Sequence, residues 1–420
     1  MTRRVLAAEL VLPGGGQEAV PDGAVLVDGD TIADVGPRAA VIGDAPDGTP
    51  VVELGAATIL PGLIDCHVHL VFDASEDPLT PFLAADDAAL LPAMAGRAAR
   101  LLDAGVTTAR DLGDRNGLVR KVRDAITAGD IPGPRLLTAG TPVTVTGGHC
   151  WFLGGEADGE DAVRAAVRRN LRDGADLTKL MVTGGTMTTS GPRPHQVQFT
   201  AAELAAAVEE SARFGRPVAA HVHGTDGIEA ALVAGADTLE HCTFASAVPR
   251  RPAFDHELID RMAADGVFVC PTFSSTLDTV VRDRGADVVK PYLDLVRREY
   301  EAGVRLVAGT DAGVHLATFE GYAEGLLWYE RAGLPVEAVL TMATSEAAAA
   351  LGLSDRTGRI APGLAADLLV VPGDLRQDLR ALRDPLLVLA GGRTHVPPAA
   401  AERAVLAAAA AGRVSEGAVR

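Results

Sequence analysis

The stretch "LPGLIDCHVHL", Leu60 to Leu70, ends an apolar run with His67 and His69, two of the ten histidines in the chain. Residues i and i+2 of a strand point to one face, so the two imidazoles lie side by side. Such a pair fits either a shared cation or two separately hydrogen-bonded core histidines. Further on, Lys179 lies within "LTKLMVTGG", His221 and His223 end "PVAAHVHG", His241 closes "DTLEHCT" and Asp311 closes "RLVAGTDAG". Imidazole and carboxylate ligands suit zinc and its neighbours in the first transition row, and a catalytic site keeps one coordination position for water. His67, His69 and Asp311 could hold one ion, and His221 with His241 a second. A bridge between the two is missing from this set.

Lys179 supplies a candidate bridge. A lysine inside an apolar run is costly to bury as an ammonium, so it either snorkels to solvent or loses its proton. A neutral amine takes up carbon dioxide to form a carbamate, an anionic two-oxygen group able to span two metals. Two half-sites that lack a bridging anion favour the carbamate.

The elements that must position these residues can be read from the same runs. Eight β-rich runs recur between Leu63 and Gly313, each followed by a stretch with helical patterning, of which "GEDAVRAAVRRNLRDG", "TAAELAAAVEESARFG" and "PVEAVLTMATSEAAAALG" are plain. Eight alternating units predict an α/β chain built as a (β/α)8 TIM barrel; an open doubly wound sheet would instead gather its site at one switch point. All candidate residues but Lys179 fall at the C-terminal ends of their runs, the face on which such barrels carry chemistry. Short β-type runs broken by Gly, Pro and Asp occupy both ends of the chain, which together predict a small β-sandwich domain. The expected boundaries are 1–60 and 353–398 for that domain, 61–352 for the barrel, and 399–420 for an alanine-rich tail.

Composition narrows the function. The 420 residues carry a formal charge of −18, which disfavours nucleic acid and anionic membranes as partners and leaves a small-molecule substrate. The opening "MTRRVLAAELVLPGGG" is interrupted by Glu9 and reads as a first strand rather than a signal peptide. No apolar run reaches transmembrane length. Cys66, Cys150, Cys242 and Cys270 are scattered, as in reduced thiols of a cytoplasmic protein, and a homo-oligomer is expected.

Taken with "LPGLIDCHVHL" and "GRIAPGLAADLLVV", the set His67, His69, Lys179, His221, His241 and Asp311 resembles the amidohydrolase superfamily with a binuclear, carboxylated-lysine centre. "TGGHCWFLGGEADG", "MVTGG", "QFTAAEL" and "AAHVHGTDGIEAALVAGADTLEHC" are similar to the subgroup of Xaa-Pro dipeptidases and imidazolonepropionase-like proteins. The resemblance implies two divalent metal ions, zinc by expectation, a carbamate on Lys179, and attack of a metal-bridged hydroxide on an amide carbonyl. It further implies Asp311 as the proton shuttle, His223 as the group polarising the carbonyl, and His149 of the "GGH" motif as a substrate contact. Arg193 with His195, and Arg110 with Asp111, are weaker candidates, an arginine being able to hold a substrate carboxylate bidentately. The expected substrate is a dipeptide, X-Pro or another C-terminal residue, or an N-acyl amino acid; a cyclic amide of imidazolone or lactam type is the alternative. A one-metal deaminase would have no use for the bridge at Lys179, and a scaffold protein no use for six filled ligand positions. His256 and His395 read as surface or domain-edge residues, and His315 as one that could reach the cavity mouth.

Overall fold

The computed structural model describes residues 3–188, 190–248 and 252–410. Residues 411–420 of the expected tail lie outside that range, and 398–410 form a helix. An eight-stranded sheet gathers both ends of the chain: β1 (Arg4–Val11), β2 (Val20–Asp28), β3 (Thr31–Pro37), β4 (Val51–Glu53) and β5 (Ala57–Pro61) lie with the late strands β14 (Leu368–Pro372), β15 (Leu387–Ala390) and β16 (Arg393–His395). Its order is β16-β15-β14-β5-β1-β2-β3, with β4 beside β1. Most of its neighbours are antiparallel, while β1 runs parallel to β4 and β5.

Between these ends run eight strands in which only parallel pairing occurs. They are β6 (Leu63–Val68), β7 (Val106–Asp111), β8 (Arg135–Thr138), β9 (Thr178–Met181), β10 (Val218–Gly224), β11 (Thr238–Ala245), β12 (Phe268–Cys270) and β13 (Arg305–Leu306). Each falls on one of the eight β-rich runs of the sequence. β6-β7-β8 form one sheet and β13-β12-β11-β10-β9 another. Single parallel bridges join the two sets on both flanks, Val68 to Ala312 and Val143 to Leu180.

Intervening helices pack their apolar stripes on these sheets. Ala201–Arg213 begins with a capping box in which Thr200 and Glu203 satisfy each other's backbone N–H, and it buries Leu204, Ala206 and Ala207. Glu160–Arg172 starts with two acids, ends with basic residues and buries Val163, Ala166 and Val167. The stretch 335–352, which reads as one helix in the sequence, is two: Val336–Met342 and Ser345–Ala350. The break has a backbone cause. The carbonyls of Met342 and Ala343 accept from Ala308 and Ile64, so they are diverted from the helix into the strand layer. Among the described residues no helix is long and apolar enough to cross a membrane.

Candidate active site

A cavity of about 720 Å³ opens at the C-terminal ends of the parallel strands, and His67, His69, Lys179, His221, His223, His241 and Asp311 all line it. Side-chain and backbone ties from β6 to the segment after β13 build its floor. Asp65 accepts the N–H groups of His67 and Thr310, each at 3.1 Å, and the Thr310 hydroxyl at 2.6 Å. The N–H of Asp311 donates to the carbonyl of His67 at 2.8 Å. His241 and Asp311 have φ of +70° and +59°, left-handed values that non-glycine residues adopt at some energetic cost and that cluster at functional sites.

One nitrogen of each ring is tied to an oxygen, and this defines the nitrogen left for a ligand. His67 Nδ1 lies 2.8 Å from Glu240 Oε2, His221 Nε2 lies 3.1 Å from the carbonyl of Gly184, and His69 Nδ1 lies 3.5 Å from the carbonyl of Gly113. Carboxylates and carbonyls only accept, so these ring nitrogens donate, and His67 Nε2, His69 Nε2 and His221 Nδ1 are the nitrogens turned toward a ligand. His241 Nδ1 and His223 Nδ1 sit against the hydroxyls of Thr272 at 2.9 Å and Thr243 at 3.0 Å.

Asp311 Oδ1 stands 3.3 Å from His67 Nε2 and 3.2 Å from His69 Nε2. With their protons displaced, these two nitrogens and the carboxylate oxygen form a donor set for a cation. Burial works to raise the Asp311 carboxyl, but the His67 and His69 rings outweigh it and hold the group well below the usual carboxylate range. Ligand atoms of His67, His241 and Asp311 lie within 4.8 Å of one another, as do those of His221, His223 and His241. Proximity therefore divides the residues differently from the sequence expectation, placing His241 in both groups and adding His223 to the second. Lys179 is 1% exposed and its Nζ has no hydrogen-bond partner. Burial pushes its amine down to about 8, against 10.5 ordinarily, which raises the fraction of free base near neutral pH. An orphaned buried amine among imidazoles and one carboxylate fits a two-cation site with an anionic bridge.

His149 reaches the same cavity, its ring centroid 4.6 Å from that of His221. Burial, then His223, pushes its pKa down to about 3, so it is neutral; its Nδ1 has no partner and its Nε2 lies 3.4 Å from Cys150 Sγ. Arg193 and His195 stand on the cavity wall, Arg193 exposed, and His315 joins the rim with Nδ1 at 2.8 Å from the Glu76 carbonyl. His256 contacts Arg298 and His395 contacts Asp103, away from the cavity.

Arg110 and Asp111 do not fit the role of substrate contacts. Arg110 is buried below the cavity, bonded to Glu240, Thr238 and the carbonyl of Cys66, while Asp111 accepts the N–H groups of Leu70 and Gly113. Glu240 is the polar residue the sequence reading passed over. A carboxylate inside the apolar run "DTLEHCT" is the same kind of signal as the lysine in "LTKLMVTGG".

Residues 58–394 match the Amidohydrolase family. Over 435 aligned positions the chain is 30% identical to ochratoxinase of Aspergillus niger, covering 93% of this chain and 85% of that one. Its fold is similar to that of a Xaa-Pro dipeptidase solved with methionine bound in the active site, with a TM-score of 0.83 and 28% identity over 94% of this chain and 100% of the other. Imidazolonepropionase of Paracoccus denitrificans is 25% identical, covering 85% of this chain and 89% of that one. With ligand-competent side chains gathered at one end of its strands and its length matched from 58 to 394, the chain belongs to the amidohydrolase family of enzymes that hydrolyse amide bonds.

Proposed function

We propose that the protein hydrolyses the amide bond of an N-acyl amino acid or dipeptide with a free carboxylate, X-Pro included, at a centre of two divalent ions, zinc by chemistry, bridged by a carbamate on Lys179. The fully buried Lys179 amine with no partner carries this reading. His67, His69, His221, His241 and Asp311 would hold the ions, which supply a water-derived nucleophile near neutral pH and polarise the scissile carbonyl. Asp311, kept ionised, takes the proton of the attacking water and passes it to the departing nitrogen. His223 is neutral, burial pushing it down to about 4. If Thr243 donates to its Nδ1, its Nε2–H is left to steady the developing oxyanion. The flank-to-flank bridges support closure of the eight strands into a (β/α)8 barrel, with the sheet from the chain ends as a β-sandwich beside it.

Charge and size narrow the substrate. The chain carries 56 Asp and Glu, yet among the described residues Asp311 is the one acid lining the cavity, which also holds Arg193 and would hold the two divalent ions. An anionic substrate suits that balance, its carboxylate taken by the Arg193 fork and the His149 imidazole. Phe72, Leu153, Met187, Phe273, Leu277 and Val314 provide apolar walls, and about 720 Å³ falls in the range that encloses drug-sized ligands. A bulky apolar acyl group fills this space better than a second small residue.

The test is amine release by zinc-loaded protein from a panel of N-acyl amino acids and dipeptides, each also supplied with its carboxylate amidated. The expected result is turnover of free-carboxylate substrates with bulky apolar acyl groups and loss of it on amidation. Silence across the panel with turnover of a cyclic amide would replace this reading with lactam or imidazolone hydrolysis.

A further inference from the structure

We propose that Glu240 and Arg110 form a buried charge pair that fixes the orientation and tautomer of His67, so that this ring presents Nε2 to the cation site; the inference rests on the metal-centre reading above. Neither residue lines the catalytic cavity, so both are positioning residues.

The geometry runs upward in one chain of contacts. Arg110, on β7 and 2% exposed, donates from Nη2 to Glu240 Oε1 at 2.8 Å, from Nη1 to Thr238 Oγ1 at 3.0 Å and from Nε to the Cys66 carbonyl at 2.7 Å. Three of its five N–H donors are thereby spent on the protein. Glu240, on β11 and fully buried, also accepts from Thr238 Oγ1 at 2.8 Å through Oε1, which leaves Oε2 for His67 Nδ1 at 2.8 Å. Two carboxylates face this ring and neither can donate; the shorter contact, to Glu240, keeps the proton on Nδ1 and leaves Nε2, 3.3 Å from Asp311 Oδ1, as the nitrogen turned to the cation site. A metal-bound imidazole whose other nitrogen donates to a carboxylate is a better electron donor and is locked in rotation. Burying that carboxylate alone would be strongly unfavourable, and the Arg110 guanidinium offsets the charge.

The backbone explains why Glu240 and His241, neighbours on one strand, can both serve the site. Regular alternation would turn one of them away, but His241 and Cys242 take left-handed φ of +70° and +46°, and the pairing of β10 with β11 shifts register beyond His241. His67, Glu240 and Cys270 also lie close enough to hold an ion of their own. Both Glu240 oxygens already accept hydrogen bonds, however, and the proton on His67 Nδ1 occupies the place an ion would need.

The test uses Glu240→Gln in the full-length protein, because an amide offers NH2 as readily as C=O and removes the constraint on the tautomer. Chelator competition should show zinc affinity lowered by about 10–100-fold. Imidazole 15N NMR before zinc loading should show His67 with its proton on Nδ1 in the parent and a mixture of tautomers in the variant. Should the single variant not fold, Arg110→Met with Glu240→Gln removes both charges together, and the same two losses are expected. A folded variant with parental zinc affinity and an unchanged tautomer would overturn the proposal. A parent that binds no zinc but keeps the proton on Nδ1 would instead count against the metal-centre reading while upholding the role of Glu240.

Discussion

The cavity at the C-terminal ends of the parallel strands measures about 720 Å³ and the one at their N-terminal ends about 1240 Å³, yet the smaller one gathers the ligand-competent side chains. The two differ in how their polar groups are satisfied. At the lower end Arg135 pairs with Asp367 at 2.8 Å, Asp176 with Arg123 at 2.7 Å, and Asp237 accepts the N–H of Val218 at 2.7 Å. At the upper end Lys179 Nζ and His149 Nδ1 have no partner, and Asp311 faces the Nε2 atoms of His67 and His69. Buried groups with unfilled valences are rare in a protein interior, so where they converge they mark a site built for something else. Volume by itself ranks the two ends the wrong way round.

Variants at each end can break this contrast. Asp311→Asn should have the largest effect, lowering kcat by at least about 100-fold with an unchanged far-UV circular dichroism spectrum. Parental turnover would remove Asp311 as the proton carrier. Arg193→Ala at the rim should raise KM by about tenfold for carboxylate substrates and leave kcat nearly intact, with Arg193→Lys between the two. Equal loss on amidated analogues would show that the guanidinium does not read the carboxylate. The smallest effect on turnover is expected at the lower end. Arg135→Ala leaves Asp367 buried without its cation and should cost about 3 kcal/mol of stability, seen as a lower Tm, while KM and kcat stay at parental values. A change in KM there would mean that the lower cavity communicates with the upper.

Much of the upper end was legible because the strand period and the residue types agree. His67 and His69, like His221 and His223, are two apart at the end of apolar runs, and all eight runs carry a parallel strand in the structure. Lys179 stood out because a charge in an apolar run needs a reason. Arg110 and Glu240 were misjudged or missed for one cause: their partnership spans β7 and β11, and no local pattern encodes a contact across 130 residues. The left-handed backbone at His241 adds to this, since alternation would place Glu240 and His241 on opposite faces. The break at Ala343 was hidden as well, because it arises from carbonyls captured by distant strands while the apolar stripe runs on through "PVEAVLTMATSEAAAALG". Residue chemistry at strand ends is local information, whereas the network that orients it is tertiary.

The most direct test of the central claim is the zinc content per chain, measured together with the 13C spectrum of protein loaded in 13C-bicarbonate, for the parent and for Lys179→Ala. Two zinc ions per parent chain with a carbamate resonance, and in Lys179→Ala at most one ion and no resonance, are the results expected of a centre bridged at Lys179. Two tightly held ions in Lys179→Ala, or a parent with two ions and no carbamate carbon, would contradict it.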